Sequence, residues 1–282
     1  MKLQVSHRTR YEYAGPVRES FNEVRLRPMT NEHQTCESFH LDVQPAARIS
    51  QYSDFHKNTV HFFELPDSHG TLLVDSKATV STSSLALTLD ATPAPMSALP
   101  DCVRMDRCFD FLQESTFVER SPEAWRLALD LTHDHTDVWQ AAQAIMRHIH
   151  KEFAYTPSAT GVHTHMRDVL RDRKGVCQDF AHVMCGLCRA LQIPALYVSG
   201  YLYNGPRDQL LGAQASHAWC EVFLPGLGWR GLDPTNNQPA DERYIKLAVG
   251  RDYADVPPVR GHYKGTTQRT MDIEVLVERL DA

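Results

Sequence analysis

The sequence predicts an α+β fold: an N-terminal antiparallel β domain, then a helical region, then antiparallel strands. Three observations predict it. Apolar and polar residues alternate through residues 1 to about 95, helical spacing takes over from Ser121, and strand patterns return after Pro194. The chain has 282 residues, enough for two domains with their own cores, and the expected division is 1–95 and 96–282, with the C-terminal strand able to pack on either domain.

The first domain opens with Leu3, Val5 and His7 alternating with Gln4, Ser6 and Arg8, and Tyr11 and Tyr13 continue the period. Phe39–Val43, Val60–Leu65, Thr71–Asp75 and Thr79–Thr82 repeat it. Gly15-Pro16, Arg27-Pro28, Gln44-Pro45 and Pro66-Asp67 punctuate these stretches. Asp90 to Pro100 holds three prolines and reads as the linker, while residues 105–121 carry no clear pattern.

Ser121-Pro122 fits an N-cap and a first-turn proline. A second helix is expected from Val138 to about Phe153, on a stripe of Val138, Ala142, Ile145, Met146, Ile149 and Phe153. Residues 154–163 read as a loop, and Thr164 as the cap of a short helix to Leu170. A further helix starts near Cys177, with Ala181, Met184, Cys185, Cys188 and Leu191 on its apolar face, and ends before Pro194. Ala195–Tyr203, Ser216–Leu224 and Trp229–Asp233 read as strands, with Pro225–Gly228 as a turn, and Met271–Glu278 as a last strand.

Composition is ordinary for a globular chain, with 42% hydrophobic and 23% charged residues. A formal charge of −6 argues against non-specific nucleic-acid binding. No apolar run is long enough for a membrane span. The opening segment alternates rather than forming an apolar leader, and the cysteine count is odd at seven. A cytoplasmic location is therefore expected.

One cysteine is placed for chemistry. In Gly175-Val176-Cys177-Gln178-Asp179, Cys177 falls in the first turn of a helix, where backbone N–H groups favour a thiolate. His217 begins a strand, with Trp219 and Glu221 on its face by the two-residue period, and Asp233 ends the next strand. These are candidates for nucleophile, general base and orienting acid. Taken alone, three such residue types are a weak signal.

The wider phrase is specific. Gly175 to Tyr203, Ser216-His217-Ala218-Trp219-Cys220-Glu221-Val222-Phe223, Gly228–Asn236 and Gly250–Gly261 together closely resemble the bacterial transglutaminase-like superfamily, distant relatives of papain-like cysteine proteases. In the first domain, Tyr13, Pro16-Val17, Ser20, Leu26-Arg27-Pro28, Asp54 and Asn58 match the β domain that precedes this core. The resemblance implies a papain-like, transglutaminase-like catalytic core with Cys177, His217 and Asp233 as its triad. It also implies a thioester acyl-enzyme, a peptide or protein substrate, and hydrolysis, with a primary-amine acceptor as the alternative. Two departures stand out: Lys57 occupies a position where relatives carry glycine, and Tyr244 one where they usually carry histidine.

Other residues have plainer readings. Asp179 is a helix-start brace or a first-turn charge, and Tyr155 a packed tyrosine or an oxyanion donor. His182 and the Cys185/Cys188 pair fit helix packing better than catalysis or redox chemistry, and Cys220 points away from His217. His148, His150, His163 and His165 cluster locally without zinc-site spacing, and there is no EF-hand loop. No cofactor, metal, nucleic acid or membrane partner is expected. A protein-binding scaffold and a thiol redox protein are the remaining alternatives.

Overall fold

A computed structural model of the protein describes residues 1–83, 94–157, 161, 163–205 and 216–281. The N-terminal sheet is built from β1 (Lys2–Val24), β2 (Gln34–Gln44), β3 (Ser50–Ser53), β4 (Thr59–Leu65) and β5 (His69–Thr82). Leu3, Val5, His7, Thr9 and Tyr11 are buried at every second position of β1, as their alternation requires. The strand does not stop at Gly15-Pro16. Its pairing with β5 shifts register between Glu12 and Val17, and the strand continues against β4 from Ser20 to Val24.

The core follows with α1 (Leu99–Cys102), α2 (Asp106–Phe109), α3 (Pro122–Thr132), α4 (Val138–Glu152), β6 (Ala154–Tyr155), α5 (Met166–Asp172), β7 (Lys174–Gly175) and α6 (Cys177–Ala190). Then come β8 (Ala195–Leu202), β9 (His217–Leu224), β10 (Gly228–Asp233), β11 (Gln238–Pro239) and β12 (Tyr244–Gly250). These last strands form an antiparallel sheet in the order β11-β10-β9-β8-β12. The chain ends with β13 (Val259–Lys264) and β14 (Arg269–Arg279), which return to pair with β1.

Local signals place the helices. Ser121 Oγ accepts from Ala124 N–H at 3.1 Å, and the Asp137 carboxylate accepts from Trp139 and Gln140. Thr164 does not cap α5. Its hydroxyl accepts from Gly161 N–H at 3.0 Å instead, and His165 stands at the N-cap without a side-chain bond. Residues 90–93 of the expected linker lie outside the described residues. From Ala94 the chain is packed: its N–H donates to Asp137 at 2.7 Å, and Leu99 and Cys102 are buried. The strands β12 and β13 carry no alternation long enough to announce them.

Helix α6 lies on one face of the core sheet. Phe180, Met184, Cys185 and Cys188 share a hydrophobic core with Ala218, Cys220 and Val222 of β9. The N-terminal sheet meets β8 and β12, where Tyr201, Ile245 and Leu247 join the core of Leu3, Val5 and Leu26. Two side-chain amides complete this junction. Asn58 accepts from Val249 N–H and donates to Val249 O, both at 2.8 Å, and Gln34 does the same to Lys246, also at 2.8 Å. β12 is an edge strand, so these amides satisfy backbone groups that lack a strand neighbour. Among the described residues, no helix is long and apolar enough to cross a membrane.

The turn presenting Asn58 explains one departure from the family pattern. Lys57 has φ of 68°, in the left-handed region that favours glycine. Replacing Lys57 with glycine is expected to raise stability by roughly 0.5–1 kcal/mol, because the Cβ penalty is relieved at a smaller entropic cost. The urea midpoint of Lys57→Gly against the parent checks this.

Candidate active site

Cys177 is the first residue of α6, at the positive end of its dipole. The start of that helix is tightly built. The Asp179 carboxylate accepts from Val176 N–H at 2.8 Å, which is the helix-start brace foreseen as one of its two roles. A Cβ on Gly175 would lie 2.7 Å from both Cβ and Oδ2 of Asp179. Gly175→Ala must therefore push the brace aside. We expect a loss of about 1–3 kcal/mol in denaturant unfolding, together with slower alkylation of Cys177.

The two-residue parallel pair β6–β7 brings Tyr155 beside Gly175. Tyr155 packs edge-on against Phe180, with ring centroids 6.2 Å apart. Burial pushes its phenol up to about 12, and the charges of Cys177 and Asp233 add to this. It is thus a half-buried O–H donor that feels the charge of both.

His217 begins β9 and Asp233 ends β10, and both are buried. His217 Nε2 lies 2.8 Å from Asp233 Oδ2. Its Nδ1 is buried and makes no hydrogen bond of ordinary length and angle, but the Cys177 side chain acts on the ring as a hydrogen-bonding neighbour. Burial alone would drive the imidazole toward neutrality. The Asp233 charge and hydrogen bond outweigh it, the Cys177 sulfur adds to them, and together they raise His217 to about 10. The imidazolium is the favoured form at neutral pH.

Asp233 is held by donors on both oxygens. Oδ1 accepts from Thr235 N–H at 2.8 Å and Asn236 N–H at 3.3 Å. Oδ2 accepts from Asn236 Nδ2 at 2.8 Å and from the Tyr244 hydroxyl at 2.7 Å, in addition to His217. Burial disfavours the charge, but His217 and these donors more than compensate, so the carboxyl sits below its ordinary range. In the sequence Tyr244 stood only as a departure from the family's usual histidine. The structure places it inside the hydrogen-bond network.

Trp219 covers the pair from β9. Its ring stacks on His217 with centroids 6.2 Å apart and meets Tyr244 edge-on at 5.2 Å. It lies over Gly200, where a Cβ would come within 2.2 Å of Ile245 O and 2.5 Å of the indole. Beyond Trp219 and Tyr244 lies a groove of about 1140 Å³ lined also by Glu221, Lys246, Phe111 and Trp229. Neither Cys177 nor His217 lines it.

The other candidates are packed away. His182 is fully buried, accepts from Tyr253 N–H at 3.1 Å, and is pushed down to about 3 by burial, with Arg189 and His165 adding to it. Cys185 and Cys220 are buried free thiols with sulfurs 3.6 Å apart, and Cys188 is buried beside them. Among the described residues, no group of three or more His, Cys, Asp or Glu side chains is arranged to hold a metal ion.

Residues 3–81 match the bacterial transglutaminase-like N-terminal region, and residues 126–234 match the transglutaminase-like superfamily. An uncharacterised protein of Mycobacterium leprae is 34% identical over 99% of both chains. A protein-glutamine gamma-glutamyltransferase of Pseudomonas aeruginosa is 36% identical over 159 residues, 51% of this chain and 24% of that protein. The fold is shared with a solved structure from Cytophaga hutchinsonii described as a candidate cysteine protease. That structure has a TM-score of 0.82 and 24% identity, covering 100% of this chain and 91% of the other.

The cytoplasmic expectation is withdrawn. The periplasmic domain of TgpA from Pseudomonas aeruginosa matches 83% of this chain, with 88% of its own length covered, at 20% identity and a TM-score of 0.40. The expectation rested on an odd thiol count and an alternating first segment. Six of the seven thiols are buried, and buried thiols report packing rather than the redox state of a compartment.

Full-length similarity to a relative, both regional matches and the two-part fold lead to one conclusion: the chain belongs to the transglutaminase-like superfamily of cysteine-dependent hydrolases and transferases.

Proposed function

We propose that the protein is a cysteine peptidase or amidase acting through Cys177, His217 and Asp233. The observation that carries this reading is the buried His217, with Nε2 bound to Asp233 and the Cys177 side chain acting on the same ring. With the imidazolium favoured, the Cys177 proton already rests on His217, and the sulfur attacks the carbonyl carbon of the scissile bond. The Cys177 backbone N–H at the start of α6 faces the oxyanion, and Tyr155, kept protonated beside Cys177, is the candidate second donor. As the C–N bond breaks, His217 gives its proton to the leaving amine, leaving a thioester on Cys177. Water then attacks the thioester while His217 takes its proton. Release of the acid restores the Cys177 sulfur beside the protonated His217.

Transamidation is the second reading, favoured by the 36% identity to a protein-glutamine gamma-glutamyltransferase. In it a primary amine attacks the same thioester. A panel of peptides and glutamine donors, with and without a primary amine, separates the two. We expect free acid to dominate in both conditions. Amine incorporation faster than hydrolysis would replace the first reading with the second. Turnover of every substrate surviving Cys177→Ser would refute both.

A further inference from the structure

We propose that Tyr244 is a positioning residue for the acid–base pair: its hydroxyl orients the Asp233 carboxylate that in turn orients His217. The proposal rests on the Cys177–His217–Asp233 reading and extends it to the strand beyond. Tyr244 opens β12, which is separated from β10 by β8 and β9 in the core sheet. Its side chain reaches across to donate to Asp233 Oδ2 at 2.7 Å, the oxygen that also receives His217 Nε2.

Three features make this contact directional. Gln238 Nε2 donates to the Tyr244 oxygen at 2.7 Å, so the hydroxyl proton is left to point at Asp233. The ring is buried and braced edge-on by Trp219. Burial and the Asp233 charge push the phenol far above its ordinary value, so it remains a donor wherever the enzyme works.

The remaining donors to Asp233 come from Thr235 and Asn236, both in the turn directly after it. They move with the carboxylate. Besides His217 itself, Tyr244 donates to Asp233 from a separate element, and that element is pinned by Gln34 bonding to Lys246, two residues further along β12. The titratable groups acting on this cluster are His217 from β9, Cys177 from α6, Tyr155 from β6 and Asp241 ahead of β12.

The test is alkylation of Cys177 by iodoacetamide, followed by mass mapping across pH in the full chain, for the parent, Tyr244→Phe, Asp233→Asn and the double variant. We expect Tyr244→Phe to slow Cys177 alkylation at neutral pH about 10-fold. The acid limb of its profile should move up by about half a pH unit, because a misaligned imidazolium holds the sulfur's charge less well. In the Asp233→Asn background the same change should alter the rate less than about twofold, since its route runs through Asp233. An unchanged rate and profile in Tyr244→Phe overturns the proposal. So does an equal 10-fold loss in the Asp233→Asn background, which marks a general packing effect. His217→Ala alkylating like the parent is a separate result: it overturns the triad reading and removes the basis for Tyr244 with it.

Discussion

Replacing Cys177 with alanine is expected to reduce turnover by roughly 10⁴-fold or more, the scale seen when a covalent nucleophile is removed from its site. The fold should survive. Cys177 is a small side chain at the first position of α6, and the brace at that helix start is made by Asp179 on Val176, not by the thiol. Iodoacetamide labelling at neutral pH should disappear from the peptide containing Cys177 and leave the other six cysteines as they were. Five of those are buried, and the half-buried Cys36 has a thiol pushed up by burial, so it is the natural internal control. Turnover and labelling are both needed. A variant that loses labelling but keeps turnover would show Cys177 to be reactive and unused.

Asp233→Ala should be the most destabilising change at the site, by about 3–5 kcal/mol, because it forces the buried His217 to give up its proton and leaves several donors without a partner. The penalty should depend on pH. His217 titrates near 10 in the fold against an ordinary 6.5, so its share is fully present below about 6.5 and is lost as pH rises through 10. Asp233 lies below its ordinary 3.8, so its share is present above that value and is lost as pH falls. Urea unfolding of parent and variant should therefore differ most between about pH 4 and 6.5 and converge toward pH 10. Without Asp233, burial is left as the dominant influence on His217, and its titration should fall by several pH units. A difference that is constant from pH 5 to 10 would show that the pair is not charged in the fold.

The sequence by itself determined the two-part α+β organisation, the main helices and the elements that carry the three candidate residues. Those are local matters. A cap such as Ser121 acts on an N–H three residues away, a helix stripe repeats within a turn, and alternation in β9 separates Trp219 from Cys220 on opposite faces. Local pattern singled out Cys177 at a helix start, with His217 and Asp233 as candidate partners, only as a weak signal, and the family resemblance made that signal specific. Tertiary structure decided the rest. The return of β13 and β14 to β1, the Asn58 and Gln34 bonds to β12 across 191 and 212 residues, and the reach of Tyr244 to Asp233 across two strands have no local signature. Lys57 and Tyr244 read as minor departures from a pattern. One proves to be a left-handed turn residue and the other a bond to a buried carboxylate. Periodicity encodes which side of an element faces inward, through burial of its own side chains. Which strand lies beside which, and which donor a buried carboxylate meets, is set by packing all elements at once.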